Sequence, residues 1–367
     1  MINIQKKLVL LTLALFLSGC FAKKTHEQMF RADPARSGYV GMDAGPFVPK
    51  GQEKWRFKTQ DQVYSSPAMA GGVVYVGSND EHLYAVSVQD GRLLWKYKVA
   101  GNIESSPAVG PDTVYFGSWD SYFYAVDIQT QTLRWRHKTG SFVYSSPLLA
   151  GDSVYFGSDD FHVYALNALT GEVRWTYRAG AGIYSSPALS GSVLIVASLD
   201  GIVHALDRET GNELWQFDIG KPIYSSPVIG NGRVFIGADD RFLRALDLNT
   251  GEEIWRFRTG DKIYASAALH NDVLIFTSSD GFVYAVDSKT GLKKWEYKTY
   301  GPIFSSPVVT DSQVYVTSMD GFLYSLDKAS GKAALKKNLG KGFYATPAVG
   351  QGVIIVAGND GELVAFE

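Results

Sequence analysis

The chain has 367 residues, of which 46% are hydrophobic and 20% are charged, and its formal net charge at pH 7 is −2. These values are typical of a globular protein and exclude a disordered chain, which would have fewer hydrophobic residues and a larger net charge. The small net charge also gives no electrostatic reason to expect a nucleic-acid partner. The length suffices for one large all-β domain or for two domains of ordinary size.

The N-terminus has the pattern of a bacterial lipoprotein signal. Lys6 and Lys7 precede an apolar run at residues 8–17, which is too short to span a bilayer and suits a signal peptide. The sequence Leu-Ser-Gly-Cys follows directly, ends at Cys20 and resembles a lipobox, in which the chain is cut before the cysteine and the cysteine is acylated. We predict a signal peptide at residues 1–19 and lipidation of Cys20. An ordinary secretory signal with a chance cysteine is the alternative.

The residues around Cys20 also predict a location. Cys20 is the only cysteine, so its acylation would leave no thiol for a disulfide. Residue 21 is Phe, whereas an Asp there would resemble an inner-membrane retention signal. We therefore expect membrane contact through the lipid anchor alone, at the outer membrane with the folded part in the periplasm, or at the cell surface if the host has no outer membrane. Residues 20–52 show no repeat, and we interpret them as lipid anchor, tether and a lead-in segment that packs on the following domain.

From residue 53 onward the sequence repeats every 40 residues. Ser-Ser-Pro or a variant of it recurs at residues 65–67, 105–107, 145–147, 185–187, 225–227, 265–267, 305–307 and 345–347. A tryptophan keeps the same interval at Trp55, Trp95, Trp135, Trp175, Trp215, Trp255 and Trp295, with Leu335 in the eighth slot. An aspartate does so at Asp80, Asp120, Asp160, Asp200, Asp240, Asp280, Asp320 and Asp360. A fixed period of this length is typical of repeat architectures and here defines eight units.

Each unit has the pattern of four short strands separated by turn residues. In the third unit the predicted strands are residues 143–149, 153–157, 163–167 and 173–177. Four-stranded units in series predict an all-β, eight-bladed propeller at residues 53–367. Residues 53–59 have the pattern of a lone fourth strand, and the chain ends after a third strand at 362–366. We therefore expect the N-terminal strand to pair into the last blade and close the ring.

One unit shows the full motif of the repeat: residues 284–287 read Tyr-Ala-Val-Asp, residues 290–291 read Thr-Gly, and Trp295 follows. This motif resembles the pyrroloquinoline-quinone (PQQ)-like repeat of the quinoprotein propeller family, and the resemblance covers residues 53–367. WD-repeat propellers are the nearest rival, but the one Trp-Asp pair, at Trp119, lies off the tryptophan interval. The family that this repeat resembles has two branches of interest here, the quinoprotein dehydrogenases and the BamB-type lipoproteins of the outer-membrane β-barrel assembly machine.

The residue before each Ser-Ser-Pro is the most informative position. In a propeller the first strand of each blade lines the central channel, so these residues should form a ring at one of its mouths. Seven are aromatic and one is acidic, in the order Tyr64, Glu104, Tyr144, Tyr184, Tyr224, Tyr264, Phe304 and Tyr344. We predict an aromatic binding pocket for a ligand or partner, with Glu104 as its polar anchor. The alternative is that the rings fill the channel or pack between blades.

A second group of candidate binding residues lies near the turn aspartates. Four units carry Gly directly after that Asp, and the other four carry larger side chains. With their neighbours, these departures predict an interaction patch on the face that bears Glu104, formed by His82, Trp119, Tyr122, Phe161, His162 and Arg241. Scattered surface aromatics are the alternative. The two histidines belong to separate blades and predict no zinc site without closer partners.

The tryptophan and aspartate columns have structural interpretations. The family resemblance implies that the seven tryptophans are docking residues, which pack between blades and bond a backbone acceptor through the indole N–H. An aspartate in a tight turn bonds its own turn backbone. Calcium binding is the alternative for the eight aspartates, but each is expected to stand alone on its blade.

The sequence favours a non-catalytic scaffold. Every repeat has 40 residues, so no blade carries an inserted catalytic loop, and the adjacent cysteine pair of many quinoprotein dehydrogenases is absent. The resemblance to BamB-type lipoproteins implies a protein partner at the outer membrane, within the β-barrel assembly machine. A PQQ- and calcium-dependent oxidoreductase and a small-ligand receptor that uses the channel mouth are the alternatives. We expect no cofactor, no metal and no catalytic residue.

Overall fold

The computed structural model describes residues 32–41 and 50–367. Within these ranges the chain forms 32 β-strands and no helix, so the described part has no helix of the length and apolar character that a membrane span requires. The strands build eight four-stranded sheets in which neighbouring strands are antiparallel. This arrangement confirms the predicted all-β, eight-bladed propeller. The predicted signal peptide and Cys20 lie outside the described residues.

The blades are numbered in chain order from the first sheet that one stretch of chain completes. Blade 1 contains β2 (Ala68–Ala70), β3 (Val73–Gly77), β4 (His82–Ser87) and β5 (Leu93–Lys98). Blade 2 contains β6 (Ala108–Val109), β7 (Thr113–Gly117), β8 (Tyr122–Asp127) and β9 (Leu133–Lys138). Blade 3 contains β10 (Leu148–Ala150), β11 (Ser153–Gly157), β12 (His162–Asn167) and β13 (Val173–Arg178). Blade 4 contains β14 (Ala188–Ser190), β15 (Val193–Ala197), β16 (Ile202–Asp207) and β17 (Glu213–Asp218).

The second half of the ring repeats the same order. Blade 5 contains β18 (Val228–Gly230), β19 (Arg233–Gly237), β20 (Phe242–Asp247) and β21 (Glu253–Arg258). Blade 6 contains β22 (Ala268–His270), β23 (Val273–Thr277), β24 (Phe282–Asp287) and β25 (Lys293–Lys298). Blade 7 contains β26 (Val308–Val309), β27 (Gln313–Thr317), β28 (Phe322–Asp327) and β29 (Ala333–Asn338). Blade 8 contains β30 (Ala348–Gly350), β31 (Val353–Ala357), β32 (Glu362–Phe366) and, as its outer strand, β1 (Glu53–Lys58).

Blade 8 closes the ring through the two ends of the repeat region. Strand β1 pairs with β32, with Trp55 opposite Ala365 and Phe57 opposite Leu363. Two further backbone bonds extend this pairing, because Lys50 N donates to Glu367 O and Glu367 N donates to Gln52 O, both at 3.0 Å. The predicted closure by the N-terminal strand is confirmed.

The first strand of each blade is shorter than the sequence predicted. In blade 3 the regular strand is Leu148–Ala150, whereas residues 143–149 were expected. Pro147 has no N–H for a ladder hydrogen bond, so the regular strand begins only after it. The first serine of the motif also replaces a backbone bond: Ser65 Oγ accepts the N–H of Gly77 at 3.1 Å, and Ser225 Oγ accepts that of Gly237 at 3.1 Å.

The second residue of each Ser-Ser-Pro forms a closed ring of hydrogen bonds around the channel. Its N–H donates to the hydroxyl of the same position one blade further on, as from Ser66 to Ser106 at 2.9 Å. The ring continues through the corresponding residues of every blade, Ser146, Ser186, Ser226, Ser266, Ser306 and Thr346. It closes where Thr346 N donates to Ser66 Oγ at 3.0 Å. These side chains are buried, so the ring ties the eight first strands together where water is excluded.

Tryptophans of the outer strands dock each blade onto the next. The indole N–H donates to a backbone carbonyl of the following blade in six of the seven cases, at 2.8–3.1 Å, from Trp55, Trp135, Trp175, Trp215, Trp255 and Trp295. The indole of Trp55 lies on Gly91, where a Cβ would come within 2.7 Å of the ring. At the interface without a tryptophan, Leu335 packs against Gly51.

Candidate functional site

The central channel has two different ends, which we name the open mouth and the closed end. Each first strand runs from the open mouth, marked by the residue before Ser-Ser-Pro, towards the closed end, marked by the turn into the second strand. The turns that carry the aspartate column also lie at the open mouth, because the second strand returns to that side. Both ends are built by equivalent positions from all eight blades.

The predicted aromatic residues form an almost continuous ring at the open mouth. Neighbouring ring centroids lie 4.2–6.0 Å apart in the sequence Tyr144, Tyr184, Tyr224, Tyr264, Phe304, Tyr344 and Tyr64. Tyr224 and Tyr344 are 38% and 40% exposed, so the ring lines an opening that water reaches. On the side of Tyr264, Phe304 and Tyr344 the mouth encloses about 610 Å³. These aromatics therefore line a cavity and leave the mouth unfilled.

Glu104 is the single interruption of this aromatic ring, and it lies between Tyr64 and Tyr144. Burial raises the pKa of its carboxyl to about 7, although a hydrogen bond from Asn79 favours the charged form. Its charge in turn contributes to the raised pKa of both neighbouring phenols, in each case behind the larger effect of burial. Among the described residues no cation forms an ion pair with Glu104. The open mouth thus holds a half-buried acid that exchanges its proton near neutral pH.

Three aromatic residues beside the open mouth, Trp119, Phe142 and Tyr144, contact one another, and we name them the Trp119 cluster. Trp119 stacks on Phe142 with ring centroids 5.5 Å apart and meets Tyr144 edge-on at 5.2 Å. Phe142 is 39% exposed. The indole Nε1 of Trp119 is buried and has no hydrogen-bond partner among the described residues. This cluster combines exposed aromatic surface with an unused donor next to the channel mouth.

The far side of the open mouth carries a charge pair in place of a lone acid. Lys262 donates to Asp239 at 2.6 Å, and its ammonium also lies 5.6 Å from the ring centroid of Tyr264. The hydrogen bond to Asp239 is the main cause of a raised pKa at Lys262. The two halves of the mouth therefore differ: the charge of Lys262 is compensated and that of Glu104 is not.

The structure does not bring the rest of the predicted patch together. His82 and His162 each bond the aspartate of their own turn and contact a tyrosine of their own blade. Tyr122 lies under the guanidinium of Arg136, 4.5 Å from its centroid. Phe161 and Arg241 occupy the glycine slot of the turn with φ of 76° and 70°, which few side chains adopt. Within the described ranges no ring contact joins His82, Tyr122 or His162 to Trp119.

The lead-in segment, residues 32–41, lies across the closed end of the channel. Its carbonyl oxygens accept backbone N–H groups from four consecutive first strands, namely Pro34 from Leu189, Ala35 from Ile229, Ser37 from Leu269 and Gly38 from Val309, at 2.7–2.9 Å. Tyr39 stacks on His270 with centroids 4.0 Å apart and donates to Asp311 at 2.7 Å. The segment thus lies across blades 4 to 7 at the end opposite Glu104.

Arg36 anchors this segment inside the channel. Its side chain is fully buried, and its guanidinium donates to the carbonyls of Pro187 at 2.8 Å and of Ser146 and Pro147 at 3.0 Å. A cavity of about 70 Å³ remains between the lead-in segment and blades 7, 8 and 1. The lead-in segment therefore covers this end of the channel along blades 4 to 7.

Sequence reasoning missed Arg36, Asn79 and Phe142. Arg36 and its backbone partners carry no periodic signal. The closed ring of hydrogen-bonded hydroxyls around the channel, here the hydroxyl ring, did have a periodic signal. The second position of Ser-Ser-Pro keeps a hydroxyl in all eight copies, including Ser266 and Thr346, while its neighbours change to Ala at positions 265, 267 and 345. Asn79 and Phe142 come from the loops beside Glu104 and Tyr144, and only the blade geometry brings them to the mouth.

The residues at the mouth do not match the donors that calcium and PQQ need. Among the described residues no group of three His, Cys, Asp or Glu side chains converges on one point. The turn aspartates are already engaged: the carboxylate of Asp80 accepts the N–H groups of His82 and Gln60 and the hydroxyl of Tyr84. PQQ carries several carboxylates, and the half of the mouth around Glu104 presents a further carboxylate to it.

Comparisons with known proteins agree with this architecture. A family model described as "Beta-alanine-activating enzyme, beta-propeller" matches residues 47–243, and one described as "Outer membrane protein assembly factor BamB" matches residues 299–367. No curated protein sequence matches the chain.

Solved structures with the same fold include BamB, a designed protein and an alcohol dehydrogenase. BamB from Moraxella catarrhalis is 18% identical with a TM-score of 0.75, over 86% of this chain and 99% of that chain. The computationally designed Ika8 protein is 16% identical with a TM-score of 0.78, over 86% and 99%. Quinohemoprotein alcohol dehydrogenase from Comamonas testosteroni is 14% identical with a TM-score of 0.79, over 94% and 81%. At these identities the likeness shows the shared propeller fold.

Proposed function

The chain belongs to the β-propeller family whose model is described as "Beta-alanine-activating enzyme, beta-propeller", and from this premise we propose that it acts as a non-catalytic binding scaffold. A propeller supplies a rigid ring on which sites for many functions can be built, so the argument for function must come from its surface. We place the scaffold on a lipid anchor at Cys20, with the propeller in the periplasm, and assign it a role in outer-membrane β-barrel assembly.

The observation that carries this proposal is the Trp119 cluster beside the open mouth, with half-buried Trp119 and Tyr144 and exposed Phe142. Aromatic side chains on a rigid support are the usual anchors of protein interfaces, because they bury a large area at a small cost in conformational entropy. The match of residues 299–367 to the BamB model supports the choice of partner class. The proposal assigns no cofactor and no catalytic residue to the mouth.

Affinity purification from detergent-solubilised outer membranes tests the proposal. We expect the full-length lipidated chain to recover subunits of the β-barrel assembly machine, and Phe142→Ala to reduce that recovery about tenfold, which corresponds to about 1.4 kcal/mol of binding energy. Leu292→Ala is the matched control, because Leu292 is 70% exposed but lies in a turn at the closed end. Recovery of no assembly subunit, or equal recovery by both variants, would contradict the proposal.

A titration tests the absence of a quinone cofactor. We expect PQQ with calcium to leave both the absorption spectrum of PQQ and the midpoint of thermal unfolding unchanged. A shift of either in the presence of both compounds would support the oxidoreductase alternative.

A further inference from the structure

The open mouth carries negative charge without a compensating cation on one side. Four consecutive loops between blades on this side of the ring, at residues 59–62, 99–102, 139–142 and 179–182, contain no Lys or Arg. Two further carboxylates stand near its aromatic neighbours, since Asp61 contributes to the raised pKa of Tyr64 and Asp159 to that of Tyr144. Among the lysines of the corresponding loops, Lys221 and Lys262 belong to blades farther round the ring, and Lys341, two blades from Glu104, forms an ion pair with Asp360.

The aromatic faces strengthen this preference. A ring face carries a negative electrostatic potential, so a cation over Tyr or Trp gains about 0.5–2 kcal/mol, and the gain increases when water is excluded. The mouth combines a half-buried carboxylate with rings on both of its sides, and the lead-in segment lies across the opposite end of the channel. An incoming cation would therefore meet the carboxylate and the ring faces together.

We propose that the open mouth binds an organic cation, a primary ammonium group on an apolar stem, with the ammonium on Glu104 between Tyr64 and Tyr144. A primary ammonium supplies three N–H donors to a carboxylate for which Asn79 is the one side-chain donor among the described residues. The stem lies against the faces of Tyr144 and of the Trp119 cluster. The site shares the Trp119 cluster with the proposed scaffold surface, but it needs no protein partner and so does not depend on the scaffold role.

The bound cation requires the charged form of Glu104, so binding depends on pH. In the free protein the pKa of Glu104 is about 7, and an ammonium beside it would lower that pKa again. The groups that face Glu104 are Tyr64 and Tyr144, whose raised pKa values keep both phenols neutral, with Asp61 and Asp159 beyond them. Affinity should therefore rise from pH 6 to pH 8, and at pH 6 binding should release a proton.

Isothermal titration calorimetry with benzylamine tests the site. We expect benzylamine to bind the full-length protein at pH 8 at least tenfold more tightly than benzyl alcohol, its neutral analogue, and than benzoate, its anionic analogue. Glu104→Gln should weaken benzylamine binding at least tenfold and abolish its pH dependence. Glu252→Gln is the control, because Glu252 lies in an exposed turn at the closed end.

Three results would overturn the inference. They are equal affinity for benzylamine and benzyl alcohol, unchanged affinity in Glu104→Gln, or an affinity of the native protein that stays constant between pH 6 and pH 8. Unfolding of Glu104→Gln is checked by circular dichroism, and Tyr144→Leu, which keeps the acid and removes one ring, should then weaken binding two- to fivefold. Loss of the pull-down without loss of benzylamine binding would reject the scaffold role alone.

Discussion

The two ends of the channel use the same repeat in opposite ways. At the closed end the chain satisfies its own polar groups, because the lead-in segment accepts four backbone N–H groups and Arg36 donates to three carbonyls. At the open mouth the same blades leave Glu104 without a cation and the indole N–H of Trp119 without a partner among the described residues. A polar group that the fold satisfies contributes to stability, whereas one that it leaves open is available to a ligand.

The largest expected effect belongs to the closed end. Arg36→Ala should lower the free energy of unfolding by about 4 kcal/mol, because it leaves three buried carbonyls without a donor and creates a cavity. Urea denaturation of the purified protein measures the change. Arg92→Ala is the control, since that side chain is 74% exposed and should change stability by less than about 0.5 kcal/mol. A small effect of Arg36→Ala would show that the closed end is not the stabilising one.

The hydroxyl ring lies between the two ends and should give the next largest effect. Ser226→Ala removes the acceptor of the Ser186 N–H, a 2.9 Å bond between buried groups, and should cost about 2 kcal/mol. Ser226→Thr should cost much less, since Thr346 fills the same position in blade 8. Thermal unfolding of the two variants tests this expectation. Equal losses of stability in Ser226→Ala and Ser226→Thr would mean that the change in side-chain volume, and not the loss of the hydrogen bond, causes the destabilisation.

Substitution of Glu104 should raise the free energy of unfolding, unlike the substitutions above, because burial at the mouth destabilises the charged form of this side chain. Its pKa of about 7 in the folded protein lies above the ordinary value of 4.5, so the folded state binds more protons and stability falls as pH rises from about 4.5 to 7. Glu104→Gln should remove this fall and be more stable than the native protein by about 1 kcal/mol at pH 8, since water at the mouth screens the charge. Denaturation at pH 5 and pH 8 measures it. A lower stability of Glu104→Gln at pH 8 would contradict the assignment.

The smallest effect is expected at the rim of the open mouth. Phe161 holds a φ of 76° and is 37% exposed, so Phe161→Gly should relieve backbone strain and raise the free energy of unfolding by about 0.5 kcal/mol. A side chain added at the equivalent turn of blade 4, by Gly201→Ala, should lower the free energy of unfolding, because the new Cβ would lie 2.7 Å from Lys221 N. Differential scanning calorimetry of both variants checks whether the glycine slot acts alike in blades 3 and 4.

The sequence predicted the ring well because the ring is periodic. The second and third strands of blade 3 end at residues 157 and 167 as expected, since Gly and turn residues follow the apolar runs. The first strand was predicted too long, because alternating apolar residues do not reveal that a serine hydroxyl and a proline replace the ladder bonds. A repeat pattern thus determines which elements exist but not which groups complete their hydrogen bonds.

The candidate site was only partly predictable. Glu104 and its aromatic neighbours stood out because one acid breaks a column of rings, and the structure places them around one opening. The wider patch could not be judged, because the direction of a side chain such as His82 depends on the bond it makes within its own turn. Arg36 was out of reach altogether: its partners are backbone carbonyls, which any residue supplies, and the segment around it occurs once.

The hydrogen bonds at the closed end also determine where the upstream chain is attached to the propeller. The chain reaches the propeller through residues 33–38, and these are fastened to blades 4, 5, 6 and 7 in succession. Four blades therefore share the attachment of this segment, with one backbone hydrogen bond from each. If the predicted tether precedes these residues, it joins the propeller at the end of the channel opposite Glu104, so that the support and the aromatic opening lie at opposite ends of the channel.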